Sequence, residues 1–419
     1  MKISIVIVLY FLVIDVAICQ SLKLNDCQRA AINNSTLLTQ QSLLDDIAQL
    51  ETENFNRNLL PKLSLSGQYT YYSDVVQFPG TEAFGIGQIP KNQYLSSFTL
   101  SQTIYDGGFV KYSKIISQKN ANGQQKQLEV DELRIKQIIN EIFFGALIFQ
   151  ENELLLKSIA SEIRDQLQTV QSLIKNGVVL KSSENNLRKE LLSIEQQRVE
   201  AQLGYRSMIA MLEKWTAINL PESIKLSIPD TPLNFDLAIN RPELKYFDIT
   251  LQLLKLTAKL TKTKKRPQIG GFVDYGIGNP NPFNLFDTDL NDFYVAGIKL
   301  NWQLWDWNQN SRERQILKIR QKTTQSQKTD FEKEIDIALK KLKSDISKYQ
   351  EIIELDQGIL ALQKNVVQES YAQFKNGVIT STSYVGELNE EIRISLNLKI
   401  HEIQYHKAII DYLTTSGNY

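Results

Sequence analysis

Cysteine and histidine are nearly missing from this chain: two of each in 419 residues, at Cys19, Cys27, His401 and His406, with only three methionines. A disulfide framework is therefore excluded, and soft-metal chemistry has little to work with. The two histidines stand five apart with no cysteine or carboxylate cluster to complete a metal site, and they read as ordinary surface or groove residues. Charge of either sign is also without excess. The 47 basic and 47 acidic residues cancel, which removes any general electrostatic case for nucleic acid as a partner. Beyond the N-terminus no run of apolar residues is long enough for a transmembrane helix. The most apolar window, residues 138–149, contains Asn140 and Glu141 and reads as a helix seam. Gly85-Ile86-Gly87 and Gly276-Ile277-Gly278 lack the strand-to-helix setting of a phosphate loop and read as turns at the outer ends of strands. No catalytic constellation is present, so the reading is a non-enzyme without cofactor or metal.

The N-terminus has the pattern of an export signal over residues 1–19. Lys2 supplies the charged end, and residues 3–14 supply an apolar run too short to span a bilayer, with Asp15 as an odd intrusion. Ala17-Ile18-Cys19 favours cleavage before Gln20; the alternative is a lipoprotein acylated at Cys19, although Ile18 stands where that pattern wants a small residue. If Cys19 departs with the signal, Cys27 is left alone.

Proline is absent from two long stretches, and what fills them is periodic. Lys175-Asn176-Gly177-Val178 recurs 200 positions later as Lys375-Asn376-Gly377-Val378, and Tyr105-Asp106 recurs at the same offset as Trp305-Asp306. The chain is a tandem repeat. Within the first proline-free stretch Leu128, Ile135, Ile142, Phe149, Leu156, Ile163 and Val170 fall every seven residues, with Ile139, Ala146, Ala160, Leu167 and Ile174 in the companion register. In the second, Leu339, Ile346, Ile353, Leu360, Val367 and Phe374 occupy the companion register, and only Glu153 opposite Ile353 breaks the match. These are coiled-coil positions, and at 1.5 Å per residue each helix would be roughly 100 Å long.

Four short segments alternate instead with a period of two. Leu63, Leu65, Gly67, Tyr69 and Tyr71 form the first; Tyr94, Phe98, Leu100 and Ile104 the second; Ile269, Val273, Tyr275 and Ile277 the third; Tyr294, Ala296, Ile298, Leu300 and Trp302 the fourth. Each is about the 9–11 residues that a tilted membrane strand requires. Pro61 and Pro267 open the first strand of each pair, and Gly/Pro/Asn-rich loops at 73–92 and 278–291 join the pairs. Alternation alone also fits a half-buried sheet. Here no second layer is available to cover an apolar face, and membrane barrels start at about eight strands. Strands that enter lipid must therefore come from several chains sharing one barrel.

The order of helix, strand pair, long helix, sharp turn and returning helix, repeated behind a signal segment, resembles the outer membrane efflux protein family of TolC-like channels. The resemblance covers essentially the whole mature chain. It is carried by Leu24-Asn25-Asp26-Cys27 through Ala30, Asn33-Asn34, residues 60–67 from Leu60-Pro61 to Gly67, Tyr105-Asp106-Gly107-Gly108, the two Asn-Gly-Val turns, and Arg241-Pro242-Glu243-Leu244 opening the second repeat. It implies a mainly α fold with a membrane β-barrel contribution: a homotrimer with a 12-stranded barrel and a periplasmic helical tube. The first repeat is expected over 20–235, with strands at about 61–72 and 93–104, a long helix at about 108–175 and a return helix at about 182–215. The second is expected over 236–419, with strands at about 267–277 and 292–303, a long helix at about 310–375 and a return helix at about 382–414.

The same resemblance assigns roles. Asn176, Gly177, Val178, Asn376, Gly377 and Val378 would form periplasmic tips that engage the hairpin of an adaptor, itself linked to an inner-membrane pump. Leu63, Leu65, Tyr69, Tyr71, Phe98, Leu100, Val273, Tyr275, Ile298, Leu300 and Trp302 would face outer-membrane lipid. Ser183, Glu184, Ser383 and Glu387 stand where an aperture would lie, in place of the acidic ring common in the family. From the residues themselves, the Asn-Gly turns are at least helix reversals needing positive φ, and residues 182–184 and 382–383 look like helix caps. The basic cluster Lys262, Lys264, Lys265 and Arg266 fits anionic headgroups at the periplasmic face of the membrane. The expected function is a passive exit duct in the outer membrane of a Gram-negative cell, reaching into the periplasm, in tripartite efflux or type I secretion. The alternative is a non-channel periplasmic coiled-coil scaffold or adaptor.

Overall fold

The computed structural model describes residues 21–76, 88–221, 224–230, 232, 235, 238–284, 287 and 289–419. The signal segment and Gly85-Ile86-Gly87 lie outside them. Among the described residues the order is α1 (Leu24–Asn34), α2 (Leu37–Arg57), β1 (Lys62–Tyr71), β2 (Asn92–Tyr105), α3 (Phe109–Lys175), α4 (Lys181–Thr216), α5 (Pro242–Thr263), β3 (Gln268–Asn279), β4 (Asn291–Asn301), α6 (Gln309–Lys375) and α7 (Ser381–Ser416).

α3 and α6 are 67 residues each, and their starts explain the repeated aromatic-Asp pair. Asp106 accepts the N–H groups of Gly108 at 2.8 Å and Val110 at 2.6 Å, and Asp306 accepts that of Asn310 at 3.0 Å. Each Asp thus satisfies N–H groups that a helix start leaves without intrahelical partners. The residues after it need positive φ. The first repeat supplies Gly107 and Gly108 there, whereas the second forces Trp307 (φ 49°) and Asn308 (φ 61°) into the left-handed region, where side chains carry strain. Pro242 begins α5 at the one helical position where a missing N–H costs nothing.

The chain divides into two compact units, each drawing on both halves of the sequence and each taking part of α3 and α6. Of the described residues, one comprises those within 21–38, 129–241 and 333–419. Its core is the heptad seam: Leu156, Ala160, Ile163 and Val170 of α3 meet Leu187 and Ile194 of α4, Val367 and Phe374 of α6, and Tyr384, Leu388 and Ile392 of α7. Tyr384 stacks on Phe374 with ring centroids 5.6 Å apart. Asn140 sits in the seam fully buried. It accepts from Gln28 of α1 at 2.6 Å and donates to Thr414 of α7 at 3.1 Å, so its polarity is satisfied within the packing. Cys27, free and buried, belongs to the same unit.

The other unit, 39–128 and 242–332, pairs α2 with the start of α3 and α5 with the start of α6. Gln125 bonds Asp45 at 2.7 Å, and in the second repeat Lys328, one turn past the counterpart of Gln125, bonds Asp248 at 2.7 Å. Its four strands form one antiparallel sheet in the order β1-β2-β3-β4. Gly276-Ile277-Gly278, expected in a turn, lies within β3. An added Cβ at Gly276 would approach Ser96 O to 2.5 Å and the Phe293 ring to 2.7 Å, so this glycine answers to close packing across the sheet rather than to chain reversal.

Candidate functional site

Cross-strand register sorts the sheet into two unlike faces. Residues directly opposite one another share a face, and the pairs Leu63–Leu100–Val273–Ala296 and Leu65–Phe98–Tyr275–Tyr294 run unbroken across all four strands. Tyr69 opposite Tyr94, Gly271 opposite Ile298 and Ile269 opposite Leu300 extend the same face. Every strand residue expected to face lipid belongs to it or to its margin, and all are exposed, from 44% at Leu100 to 76% at Ile298. Trp302 lies one residue past the end of β4, where its indole N–H donates to the Lys265 carbonyl at 3.2 Å. The opposite face carries Ser64, Ser66, Thr99, Ser101, Asp274 and Lys299 in register. A concavity of about 430 Å³ opens on it, lined by Lys62, Thr99, Asp274 and Lys299 among others.

Aromatic side chains gather at both ends of the apolar face. Tyr69, Tyr71, Tyr72 and Tyr94 stand exposed at the end of β1 and β2 that leads into the loop. Trp302, Trp305 and Trp307, three of the chain's four tryptophans, stand exposed at the other end. Amphipathic rings flanking an apolar band match the girdles of membrane barrels. Sequence reasoning used Trp305 only as a repeat landmark and passed over Trp307, although three tryptophans within six residues were a readable signal.

The basic cluster is engaged internally. Lys264 pairs with Glu313 at 3.0 Å, Lys265 with Asp306 at 3.1 Å, and Arg266 donates to the Gly107 carbonyl at 2.9 Å. Three of its four cations thus hold the strand-to-helix junctions together. His401 bonds Asp356 at 2.6 Å between α7 and α6, and no group of His, Cys, Asp and Glu among the described residues could hold a metal.

Both Asn-Gly turns close in the same way. Gly177 and Gly377 have φ 73°. The Val178 N–H reaches back to Leu173 O at 3.0 Å, and the Val378 N–H to Gln373 O at 2.9 Å. This six-residue closure satisfies the last carbonyls of α3 and α6. The two turns are neighbours, since a Cβ on Gly377 would lie 3.6 Å from Val178 O. Val178, Leu180 and Val378 are exposed there. The expected caps differ from those found: Leu180 stands at the N-cap of α4 without a side-chain bond, while Thr380 caps α7 by accepting from the Ser383 N–H at 3.3 Å.

The aperture candidates are divided. Ser183 is buried and Ser383 exposed. Glu184 accepts from Arg188 at 2.7 Å and Gln171 at 3.1 Å, bonds that hold its carboxyl below the usual range. Glu387 accepts from Gln363 of α6 at 3.0 Å. Polar bonds that sequence reasoning missed join α4 to α7: Asn186 donates to Ser381 at 2.9 Å, and Asn389 to the buried Glu190 at 3.1 Å. Further from the tip, burial and the nearby Glu162 raise the Glu391 carboxyl against the opposing pull of Lys364.

No family profile matches the chain, and no curated protein does. Solved structures do. CusC, described as forming a transmembrane channel, matches with a TM-score of 0.76 at 12% identity, over 94% of this chain and 92% of that one. The CmeC outer membrane channel of Campylobacter jejuni matches at 0.71 and 14%, over 94% and 85%. The outer membrane protein VceC of Vibrio cholerae matches at 0.70 and 12%, over 93% and 96%. At such identities the likeness is one of fold, and the chain has the fold of TolC-like outer-membrane channels.

Proposed function

We propose that this chain is the protomer of a homotrimeric outer-membrane exit duct that extends into the periplasm and passes solutes or polypeptides driven by an inner-membrane pump through a periplasmic adaptor. The observation that carries it is the sheet, apolar on one face and polar on the other, with neither face covered by a second layer and no strand paired to the outer edge of β1 or β4 among the described residues. An open edge in lipid leaves backbone groups unsatisfied, and a lone sheet of this kind in water would aggregate. Three copies of the four-stranded sheet close those edges into a barrel of twelve, with the apolar face to lipid and the polar face to a water-filled lumen.

The helices support the same assembly. α2 exposes Leu43, Ile47 and Leu50, and α6 exposes Ile316 and Ile319 in the same unit. Further along α6, Leu355, Ile359, Leu362 and Val366 form another uncovered stripe. Different apolar surfaces on one chain suit a head-to-tail contact, and such contacts close into a ring when the rotation permits. A periplasmic scaffold would leave the aromatic-flanked sheet without a role. The test is mass measurement in mild detergent followed by conductance in planar bilayers. A trimer that conducts KCl is expected; a monodisperse monomer, or a trimer without conductance, would defeat the duct.

A further inference from the structure

The polar face of the sheet is not uniformly polar. Its β1–β2 half is mostly serine, threonine and glutamine, but β3 and β4 place Phe272 and Phe293 on it. Each phenylalanine stands opposite a glycine of the neighbouring strand, Phe272 against Gly297 and Phe293 against Gly276. An added Cβ would lie 2.9 Å from the Phe272 ring at Gly297 and 2.7 Å from the Phe293 ring at Gly276. Both rings therefore lie over the backbone of the adjacent strand, where any side chain would displace them. They remain half-exposed. The side of each ring away from the wall offers a π face, which carries the negative lobe of its quadrupole. Phe293 also meets the Phe283 ring in a T-shaped contact with centroids 5.5 Å apart, so an edge or face of it is shared with that neighbour.

Between the two rings stands a carboxylate. Asp274 is two residues beyond Phe272 and two before Gly276, hence on the same face, and its Oδ1 is enclosed without a hydrogen-bond partner. Lys62 and Lys299 line the same concavity, but Lys62 donates to Asn58 at 3.2 Å and Lys299 lies beyond Phe272, opposite Gly270. We propose that Phe272, Asp274 and Phe293 form a station for aryl-bearing organic cations on the lumen wall, one per protomer. The rings supply stacking and cation–π faces, and the carboxylate supplies the countercharge. This rests on the duct reading, which makes the polar face the lumen. It also narrows the cargo, since a duct for strongly hydrophilic solutes gains nothing from apolar rings on a wetted wall.

The alternative is that the rings serve only to cover strand glycines. The paired change Phe272→Leu with Phe293→Leu keeps cover but removes the π faces, and Asp274→Asn removes the charge alone. Trimers in phosphatidylcholine nanodiscs would be titrated against ethidium, an aromatic cation, by fluorescence anisotropy. Saturable binding is expected in the parent chain, with Kd raised at least fivefold by the leucine pair and by Asp274→Asn. Phenyltrimethylammonium should displace ethidium and benzenesulfonate should not. Equal Kd in all three proteins, or displacement by benzenesulfonate alone, overturns the station. KCl conductance of the same trimers separates the two ideas: conducting trimers that bind ethidium equally lose the station but keep the duct. Should the leucine pair not assemble, Asp274→Asn decides alone.

Discussion

Leu65→Arg puts the membrane reading at its greatest risk. Leu65 is the fourth residue of β1, in the row Leu65–Phe98–Tyr275–Tyr294, away from the aromatic ends of the sheet. Its opposite neighbour is a phenylalanine, so the new guanidinium would find no carboxylate across the strand. An arginine on the lipid face near the bilayer centre costs roughly 2–4 kcal/mol per chain. In a trimer the change is present in every copy, and if the sites act independently the penalty on the assembled barrel reaches roughly 6–12 kcal/mol. Even the lower figure changes an equilibrium constant by more than about 10⁴. Ser66→Arg is the matched control, one residue along and on the opposite face. There the serine hydroxyl gives up only an exposed contact with the Ser97 hydroxyl at 3.0 Å, and a surface change of that kind stays within about 0.5 kcal/mol. Denaturant unfolding of trimers folded into lipid vesicles would read both. A large loss at Leu65 with little at Ser66 is expected. Equal losses would mean that the apolar face is not in lipid, and the barrel would fall with it.

Two further outcomes follow from the tips and the seam. At Gly177 an added Cβ meets nothing within 4 Å and at Gly377 only Val178 O at 3.6 Å, so Gly177→Val and Gly377→Val impose backbone strain of roughly 1–3 kcal/mol without a clash. Trimer should still form, while adaptor crosslinking and efflux of a fluorescent substrate fall, most in the double variant; normal crosslinking in the double variant would reduce the turns to helix connectors. At Glu391, burial chiefly and Glu162 secondarily raise the carboxyl above its ordinary 4.5 in the folded chain. Its contribution is therefore complete below the ordinary value and lost as pH climbs through the raised one. Glu391→Gln should raise the Tm at about pH 7.5 and leave it nearly unchanged at about pH 4; a gain that is the same at both pH values would remove the carboxylate's charge as the cause.

The long helices and the strands were legible because each depends on a period. The helix expected at about 108–175 is Phe109–Lys175, and the strand expected at about 61–72 is Lys62–Tyr71. A seven-residue or two-residue repetition is written locally, so it survives being read in one dimension. Positive φ at Gly177 and Gly377 was legible for a similar reason, since Asn-Gly after a helical run has few other conformations. What failed needed partners distant in sequence. Gly276 looked like a turn glycine until Phe293, seventeen residues on, was found lying against it. The internal partners of the basic cluster were out of reach for the same reason, since Glu313, Asp306 and Gly107 are 49, 41 and 159 residues from their cations.

Repeat symmetry hid one further distinction. α3 and α6 share length, end motif and register, yet the α3 seam residues Ile135, Ile142, Leu156, Ile163 and Val170 are all buried, whereas α6 buries Ile346, Val367 and Phe374 and leaves Leu355, Ile359, Leu362 and Val366 uncovered. The uncovered set has its own spacing of four, three and four, the signature of a helix face that packs against something. A helix so long, carrying apolar residues on two faces, has one partner inside the protomer and room for another outside it. The sheet makes the same demand by another route, through unpaired edges rather than uncovered side chains. Two elements of different chemistry, each incomplete in one chain, are the strongest physical reason to regard the single chain as one part of a larger assembly.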